Sequence, residues 1–243
     1  MLIHKPSSHI KRFCISGTLT RFHCSQGQIS GACFDSRGSL YIADFAHASV
    51  LKSAGDGEQE VVVGIYEDRP LKGPNSICCV GSSVLFSDSG PLGETGLHNP
   101  TGSVFCIKNG VLFPLALNTL AHPTGIAAFG SFVYVAEQSY NRVVRFYQEP
   151  EGVYHSSVFY QSAGGVGLSC VACDARGMLY VGVFETISSG KTKGRVLVIS
   201  ADGELISTIL TPGPEVTGVA VNTATQTLYI TERSTGSISS VAL

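Results

Sequence analysis

Hydrophobic and polar positions along the chain follow one pattern that recurs five times. Each copy begins with a small polar residue and a run of four or five apolar residues, which is typical of a strand covered on both faces. A tight turn follows, and then a second strand rich in aromatic and β-branched residues. The residues that open the copies are Ser30, Asn75, Thr124, Ser169 and Thr217. They lie about 45 to 49 residues apart, within the range of four-stranded propeller blades.

Turn and outer-strand signals complete the repeating unit. The tetrapeptides at residues 35–38 and 174–177 begin with Asp and end with Gly, as tight reversals do. Apolar runs at residues 60–65 and 204–210 predict outer strands. Since one such sheet cannot bury its apolar faces alone, stacked copies are expected. The predicted fold class is therefore an all-β β-propeller of four-stranded antiparallel blades.

The N-terminal region bears on the number of blades. Residues 9–24 predict a hairpin with its turn at Ser16 and Gly17, and the fifth copy has one outer strand at residues 237–241. A strand over Thr18–Cys24 that completed the last blade would close the ring and leave no open sheet edge. Five blades would leave residues 10–15 as an extra strand, whereas six would lack two inner strands. The sequence leaves both counts open.

Composition favours one domain over residues 1–243. The chain is 44% hydrophobic and 14% charged, with 28 Gly and few helix-favouring runs, and no linker or charge block divides it. A net charge of −2 without a basic cluster argues against a nucleic-acid partner and against an anionic membrane surface. No stretch approaches the ~20 apolar residues of a membrane span.

Cysteine usage and the first residues favour a cytoplasmic protein. Residues 1–9 lack the apolar core of a signal peptide. Most of the eight cysteines lie inside predicted strands, so we interpret them as small buried side chains rather than a disulfide set. Cys170 and Cys173 are three apart on one strand and are expected to face opposite sides, which excludes a close dithiol there.

Two long connections, residues 89–102 and 184–194, interrupt the regular spacing. Long loops on a rigid scaffold often carry binding contacts, although passive insertions are equally compatible with the sequence. The candidate contact residues in these loops are His98, Asn99, Lys191 and Lys193.

Blade-building residues resemble the six-bladed propellers of the NHL-repeat and SMP-30/gluconolactonase-like superfamily. Gly73-Pro-Asn75 followed by Leu85-Phe-Ser-Asp88 resembles the second blade of that superfamily. Residues 177–205 and 227–232 resemble its last two blades, and the similarity runs from about residue 28 to residue 243. Because these residues mainly build blades, the resemblance is more specific for the fold than for an activity.

The resemblance also implies where a metal would bind. Members that hydrolyse lactones or phosphotriesters hold one divalent ion with a Glu, an Asn and an Asp. The resemblance places Ser30, Thr124 and Ser169 at these three positions and retains Asn75, a second pocket amide. Hydroxyls are poor ligands for hard cations, so we expect no cofactor. The five strand-opening residues would then form an uncharged axial pocket, or simply satisfy backbone groups at a crowded centre.

Acidic residues recur where the second strands end. They are Asp44, Asp88, Glu137 and Glu232, with Val183 breaking the set. A ring of carboxylates could bind cations. We favour the interpretation that each carboxylate accepts hydrogen bonds from turn amides, the usual local role of Asp in β connections.

Three functions are compatible with the sequence. The favoured hypothesis is a non-catalytic module that binds protein partners, because a low-charge propeller face suits protein contact. A small-molecule ligand in the axial pocket is also compatible with this hypothesis. The alternative is a lactone or ester hydrolase with Ca²⁺ or another divalent ion held by Asn75, Asp88, Glu94 and Glu185. The third is a metal-free pocket enzyme similar to strictosidine synthase, for which no isolated pocket Glu can be placed.

Overall fold

The computed structural model describes residues 7–13, 19–53, 58–149, 152–186, 190 and 192–243, with side chains from residue 27 onward. Its regular structure is almost entirely β, with one 3-10 helix at Gln138–Tyr140 among the described residues. In the same residues no helix is long and apolar enough to cross a membrane. The chain divides into two compact units, Met1–Pro123 and Thr124–Leu243, which are described in turn.

The first unit contains two large sheets and a small hairpin. The first sheet has the order β1-β2-β3-β4-β5, from β1 (Ser7–Phe13), β2 (Leu19–Phe34), β3 (Leu40–Asp44), β4 (Ser49–Ser53) and β5 (Gln59–Val63). The hairpin pairs β6 (Ile65–Tyr66) with β7 (Arg69–Pro70). The second sheet has the order β11-β10-β9-β8, from β8 (Pro74–Val80), β9 (Ser83–Asp88), β10 (Gly102–Lys108) and β11 (Val111–Leu120).

The second unit contains three sheets whose strands pair in chain order. The third sheet is formed by β12 (Pro123–Phe129), β13 (Phe132–Glu137), β14 (Arg142–Gln148) and β15 (Tyr154–Gln161). The fourth is formed by β16 (Gly167–Cys173), β17 (Leu179–Phe184), β18 (Gly194–Ile199) and β19 (Leu205–Thr211). The described strands of the fifth are β20 (Val216–Asn222), β21 (Thr227–Glu232) and β22 (Ser237–Ala242).

The pairings confirm the predicted fold class, an all-β β-propeller of antiparallel sheets. All five predicted inner strands form, as the second half of β2 and as β8, β12, β16 and β20. β2, β8, β16 and β20 pair in antiparallel register with the aromatic and β-branched strands that follow them, and β12 is the hydrogen-bonded neighbour of β13. The predicted outer strands are also present, as β5 and β19.

Apolar side chains from neighbouring sheets build the cores within each unit. The core shared by the first two sheets consists of Ala43, Val50, Leu71, Ile77, Val84, Phe86, Phe105 and Ile107. In the second unit, Cys170 packs in the core of the fourth and fifth sheets, while Cys173 packs against that of the third and fourth. The two thiols therefore face opposite sides of β16, as predicted, and the six cysteines whose side chains are described are free thiols.

The predicted Asp-initiated turns are also confirmed. Asp35 Oδ1 accepts hydrogen bonds from the N–H groups of Arg37 and Ser39, at 2.9 and 2.8 Å. Asp174 Oδ1 accepts the equivalent pair from Arg176 and Met178, at 2.8 and 3.0 Å. Gly38 and Gly177, which end the two tetrapeptides, have φ angles of 85° and 82°, a conformation that residues with a side chain disfavour.

The hairpin predicted over residues 9–24 is confirmed in its described residues, where residues 19–24 pair with β1, with Ile10 opposite His23 and Lys11 opposite Arg21. Its predicted turn at Ser16 and Gly17 lies outside the described residues. The strand Thr18–Cys24 was also expected to complete the last blade, but its described residues belong to the first sheet. Pairing within a hairpin closes a short loop, whereas pairing with the last sheet would close most of the chain. The hairpin therefore costs less conformational entropy.

Candidate functional site

The hydroxyl that opens the first inner strand is bound to backbone. Ser30 Oγ lies 2.5 Å from the carbonyl oxygen of Pro74 and 3.2 Å from that of Ala43, and donates its hydrogen to them. Pro74 begins β8 in the neighbouring sheet, so this hydroxyl joins two inner strands. Asn75, the next of the predicted pocket residues, instead donates from Nδ2 to the hydroxyl of Ser89 at 3.1 Å.

The same arrangement recurs in the second unit. Thr124 Oγ1 donates to the carbonyl of Leu168 at 3.0 Å, and Ser169 Oγ donates to that of Val216 at 2.6 Å. In both pairs the acceptor immediately precedes the strand-opening residue of the next sheet. Thr217 Oγ1 lies 3.1 Å from the hydroxyl of Thr231. These hydroxyls satisfy backbone and side-chain groups in the way that a crowded inner strand requires. Their assignment to a ligand pocket stays a prediction.

This geometry tests whether a divalent ion fits at the positions that the family uses. Ser30, Thr124 and Ser169 are neutral, and each directs its hydrogen at a carbonyl oxygen. Hard cations require carboxylate, carbonyl or amide oxygens whose lone pairs face the ion. Among the described residues, moreover, no three His, Cys, Asp or Glu side chains are grouped so that they could hold a metal. The donor set does not fit a divalent ion.

Carboxylates at the ends of the second strands hold the backbone that leads into the first strand of the same sheet. Asp44 accepts the N–H of Gln28 at 3.1 Å, and Glu232 accepts that of Glu215 at 2.9 Å. Asp88 accepts the N–H groups of Lys72 and Gly73 at 3.0 and 2.8 Å. The interpretation of these carboxylates as acceptors for backbone amides is confirmed at all three positions.

Glu137 and Glu185 extend this set. Glu137 is buried and accepts a hydrogen bond from Arg142 Nε at 2.6 Å. The prediction that Val183 breaks the series is confirmed, because Val183 pairs with Leu168 just before Ser169, as Glu232 pairs with Val216 just before Thr217. Glu185, two residues further on, is also buried. A Cβ atom on Gly165 would lie 2.6 Å from Glu185 Oε1, so this carboxylate packs against the segment that leads into β16. Glu185 follows Phe184, the last paired residue of β17, so its carboxylate lies outside the ladder position that the other members of the set occupy.

Asp88 differs from the other carboxylates because it also lines a cleft. The cleft has a volume of about 310 Å³ and lies within the first unit, between the β6–β7 hairpin and the second sheet. Residues that line it include Tyr66, Arg69, Lys72, Asp88, Phe105 and Asn118. We call it the Lys72 cleft. Small-molecule sites are commonly of this size, with an apolar wall and a few convergent polar groups.

Lys72 provides a cation of the Lys72 cleft that is held by neighbouring groups. Its Nζ donates to the carbonyl of Thr101 and to Oδ1 of Asn118. Burial lowers the pKa of the ammonium, opposed by the charge of Asp88 and reinforced by that of Arg69. The aromatic wall is formed by Tyr66 and Phe105, whose ring centroids are 5.2 Å apart. The ammonium is thus held at a fixed place beside an apolar surface.

The electrostatics of Asp88 contrast with those of Glu232, although both are buried at equivalent positions. Burial raises the pKa of the Asp88 carboxyl, because only the N–H groups of Lys72 and Gly73 and the Lys72 charge oppose it. Burial also disfavours the Glu232 carboxylate, but hydrogen bonds from the hydroxyl and N–H groups of Ser234 and Thr235 prevail and lower its pKa to about 2. A carboxylate with a raised pKa in a cleft is a candidate proton acceptor.

The first long connection, residues 89–102, is folded against the Lys72 cleft. Gly90 has φ +65°, and a Cβ atom there would lie 3.1 Å from Lys72 Cβ. The hydroxyls of Thr95 and Thr101 are 3.2 Å apart at the neck of the loop. Side chains near its tip are exposed, including Leu92 at 73% and Leu97 at 57%. The loop therefore offers apolar contacts to a ligand or partner from a fixed base.

The structure brings only some of the predicted site residues together. Asn75 contacts Ser89, next to Asp88. Glu94, His98 and Asn99 are exposed on the loop, and Asn99 Nδ2 donates to the carbonyl of Glu94 at 2.8 Å. Glu185 belongs to the second unit. Lys193 is exposed there too, and Lys191 lies outside the described residues.

Sequence reasoning missed Lys72, Tyr66 and Phe105. The available signal for Lys72 was a single charged residue directly before Gly73, at the start of an inner strand. The aromatic residues carried no signal that distinguished them from core positions.

The chain matches the family described as "SMP-30/Gluconolactonase/LRE-like region" over residues 7–234. This covers most of the chain and includes both units. Among the curated proteins compared with it, none matches.

Solved structures share the fold. A gluconolactonase from Xanthomonas campestris matches with a TM-score of 0.78 and 21% identity, over 93% of this chain and 76% of its own. The calcium-binding protein regucalcin from Agrobacterium tumefaciens matches with a TM-score of 0.75 and 20% identity, over 93% and 75%. A chain of a nidogen/laminin complex matches with a TM-score of 0.73 and 17% identity, over 98% and 87%. At these identities the likeness concerns the fold.

Proposed function

Because the chain belongs to the SMP-30/gluconolactonase/LRE-like family, we propose that it hydrolyses a small lactone or ester in the Lys72 cleft. The observation that carries the proposal is the presence of Asp88 and Lys72 in one cleft. The pKa of the Asp88 carboxyl is raised there, and the pKa of the Lys72 ammonium is lowered. Titratable groups whose environments shift their pKa values in this way mark acid–base sites.

Asp88 is assigned the role of general base. Its carboxylate accepts two backbone N–H groups and retains lone pairs for a water molecule in the cleft. A raised pKa brings a carboxyl closer to the pH at which proton transfer is efficient. In the proposed reaction Asp88 takes one proton from water while the oxygen attacks the substrate carbonyl. The proton then passes to the leaving alkoxide as the lactone ring opens.

Lys72 is assigned the role of electrostatic stabilisation. Its ammonium is fixed by Thr101 and Asn118, so it need not reorganise when negative charge develops on the carbonyl oxygen. Tyr66 and Phe105 would pack against the apolar part of the substrate. No step of this scheme passes through a metal.

The test is hydrolysis of δ- and γ-lactones and an aryl acetate by the full chain, followed with a pH indicator. Asp88→Asn is expected to lower kcat/KM by about 100-fold or more, because a general base is worth this much. Lys72→Met is expected to lower kcat by a similar factor, about 100-fold, since a fixed donor to a developing oxyanion is lost.

Asp202→Asn is the matched control, because Asp202 is an exposed carboxylate of the second unit, away from the Lys72 cleft. It should retain the activity of the unmodified chain. Circular dichroism and melting temperature establish that each variant is folded. Hydrolysis that survives both Asp88→Asn and Lys72→Met in folded protein would overturn the assignment, and absence of hydrolysis by the unmodified chain would overturn the proposal.

A second candidate function is protein binding through the outer strand β19. Outer strands usually carry a charge or a proline that discourages pairing with another chain. Among the described outer strands, β5 has Glu60 and β11 has Pro114, whereas β15 and β22 have neither an Asp, Glu, Lys or Arg nor a proline. β19 has neither charge nor proline. It exposes Leu205 at 48%, Ile206 at 57% and Leu210 at 66%.

We infer that the occupant of this edge is a second copy of the chain. An uncharged strand carries nothing that repels an identical strand, and a two-fold pair would satisfy the same N–H and C=O groups on both copies. Sedimentation at increasing concentration should show a dimer, which Ile206→Lys should abolish. Val158→Lys is the control, because it places the same charge on a different outer strand, β15, and should leave the dimer intact. A monomer at all concentrations would contradict this candidate.

A further inference from the structure

Two cysteine thiols of the first unit lie against each other. Cys33 Sγ on β2 and Cys79 Sγ on β8 are 2.8 Å apart. This is closer than the about 3.5–4.0 Å at which uncharged heavy atoms usually rest. The two residues are 46 positions apart in the chain and belong to different sheets.

The close approach is imposed by the packing of the two inner strands. The Ser30 hydroxyl binds the Pro74 carbonyl, and a Cβ on Gly31 would lie 2.9 Å from the carbonyl oxygen of Asn75. β2 and β8 therefore run side by side, and the contact at Cys33 and Cys79 continues the same alignment towards their ends. The packing of the two strands, and not an attraction between the sulfur atoms, therefore sets the distance between the thiols.

A second cleft lies beside the pair, lined by the residues that pair with the two cysteines. It has a volume of about 620 Å³ and lies at the turns of the first two sheets. Two of its lining residues are Tyr41 and Val84. Tyr41 is directly opposite Cys33 in the ladder, and Val84 is opposite Cys79. Paired residues of antiparallel strands share a face, so both thiols stand next to the wall of this cleft. Both cysteines are only half-buried.

We propose that Cys33 and Cys79 form a redox-sensitive site at which a peroxide closes a reversible disulfide between the first and second sheets. One thiolate attacks the peroxide, which gives a sulfenic acid and releases water or an alcohol. The second thiol displaces hydroxide from the sulfenic sulfur, which leaves as water with the thiol proton. Each sulfur is oxidised by one electron and the peroxide bond is reduced by two. A dithiol reductant reverses the reaction by exchange.

Either thiol can react first, because the two sulfurs are in contact. Contact with Cys79, together with burial, raises the pKa of the Cys33 thiol. The sulfenic acid that forms on one sulfur is resolved by the other, which already lies against it. Cys78, the neighbour of Cys79 on the same strand, also has a pKa raised by burial.

The experiment uses the reduced full chain treated with hydrogen peroxide, quenched with N-ethylmaleimide and analysed by mass spectrometry. We expect one disulfide per chain, seen as the loss of two hydrogen atoms and of two alkylation sites, and reversed by dithiothreitol. Fragmentation of the linked tryptic peptides should place the bond between Cys33 and Cys79. The oxidised chain should melt at a higher temperature, because the bond closes a loop in the unfolded state.

Cys79→Ser and Cys33→Ser should each abolish the disulfide, because each removes one of the two sulfurs that form it. Cys78→Ser is the matched control and should oxidise as the unmodified chain does. A bond mapped to any other cysteines would overturn the proposal. Glutathione in the same tube serves as a control for active peroxide. If the glutathione is oxidised while Cys33 and Cys79 remain thiols, the proposal is also overturned. The peptide map of the unmodified chain decides the outcome even if a serine variant does not fold.

Discussion

Ser169 donates its hydroxyl hydrogen to the backbone carbonyl of Val216, 2.6 Å away, and thereby joins the inner strands of the fourth and fifth sheets. The two residues are 47 positions apart. Val216 is fully buried, so its carbonyl needs a partner inside the protein. The equivalent bond from Ser30 to Pro74 shows that both units use this device to hold neighbouring sheets.

Ser169→Ala should lower the free energy of unfolding by about 1–3 kcal/mol, because it leaves the Val216 carbonyl buried without this donor. Urea denaturation measures the change. Ser207→Ala on the exposed strand β19 is the control and should change stability by less than about 0.5 kcal/mol. Equal effects of the two substitutions would contradict a structural role for the Ser169 hydroxyl.

Gly31→Ala should destabilise the first unit. A Cβ there would lie 2.9 Å from the carbonyl oxygen of Asn75 and 3.0 Å from Ser76 Cα, and these are backbone atoms that cannot move independently. Overpacking of this kind typically costs about 1–3 kcal/mol. Gly64→Ala is the control, since its nearest neighbours would be 3.8 Å away. Thermal unfolding of the two variants, side by side, checks the difference.

Acid should destabilise the chain partly through Glu232. Its pKa in the folded state is about 2, lowered from an ordinary 4.5. A depressed pKa contributes stability above the unfolded value, and this contribution is lost as the pH falls from about 4.5 towards 2. In Glu232→Gln the stability should fall less steeply over that interval. A slope identical to that of the unmodified chain, measured by urea titration at several pH values, would show that Glu232 does not titrate there.

Asp88 should give the opposite dependence. Its pKa is raised by burial, so the folded state binds its proton more tightly than the unfolded state does. The stability cost of its ionised form is therefore present at higher pH and relieved as the pH falls through the raised pKa. Activity should follow the ionised form. kcat/KM is expected to decline on the acid side at a pH above the ordinary 3.8 of Asp. An acid limb at or below that value would argue against Asp88 as the base.

Ca²⁺, Mn²⁺ and Zn²⁺ should leave the melting temperature unchanged, and EDTA should not slow hydrolysis. An ion that binds only the folded state raises its melting temperature in a concentration-dependent way. The hydroxyls at the positions that the family uses for its ion direct hydrogens at carbonyl oxygens, which does not suit a cation. A saturable rise with one of these metals would show that other residues form a site.

The fold could be predicted because its signals are local. The turns at Asp35 and Asp174 depend on hydrogen bonds to residues two and four positions away, within a single tetrapeptide and its neighbour. The inner strands follow from short apolar runs, and the interpretation of Asp44 and Asp88 as amide acceptors follows from where strands end. Each of these inferences needs only a short window of sequence.

The candidate sites depend on contacts between distant residues. Lys72 is fixed by Thr101 and Asn118, 29 and 46 positions away, and nothing near it in the sequence indicates those partners. Cys33 meets Cys79 across two sheets in the same way. Glu185 was predicted only as a possible metal ligand, because its packing against Gly165 of the segment before β16 has no signal in the local sequence.

The second, third and fourth sheets are each built from four consecutive strands. The hydrogen bonds between the strands of each of these sheets therefore involve only residues that are synthesised one after another. The strands of such a sheet can pair as soon as they have been made, and the apolar faces of the sheet are covered once the neighbouring sheet follows. Each unit can therefore fold by adding one sheet to the next, which limits the time for which apolar strand edges are exposed to other nascent chains.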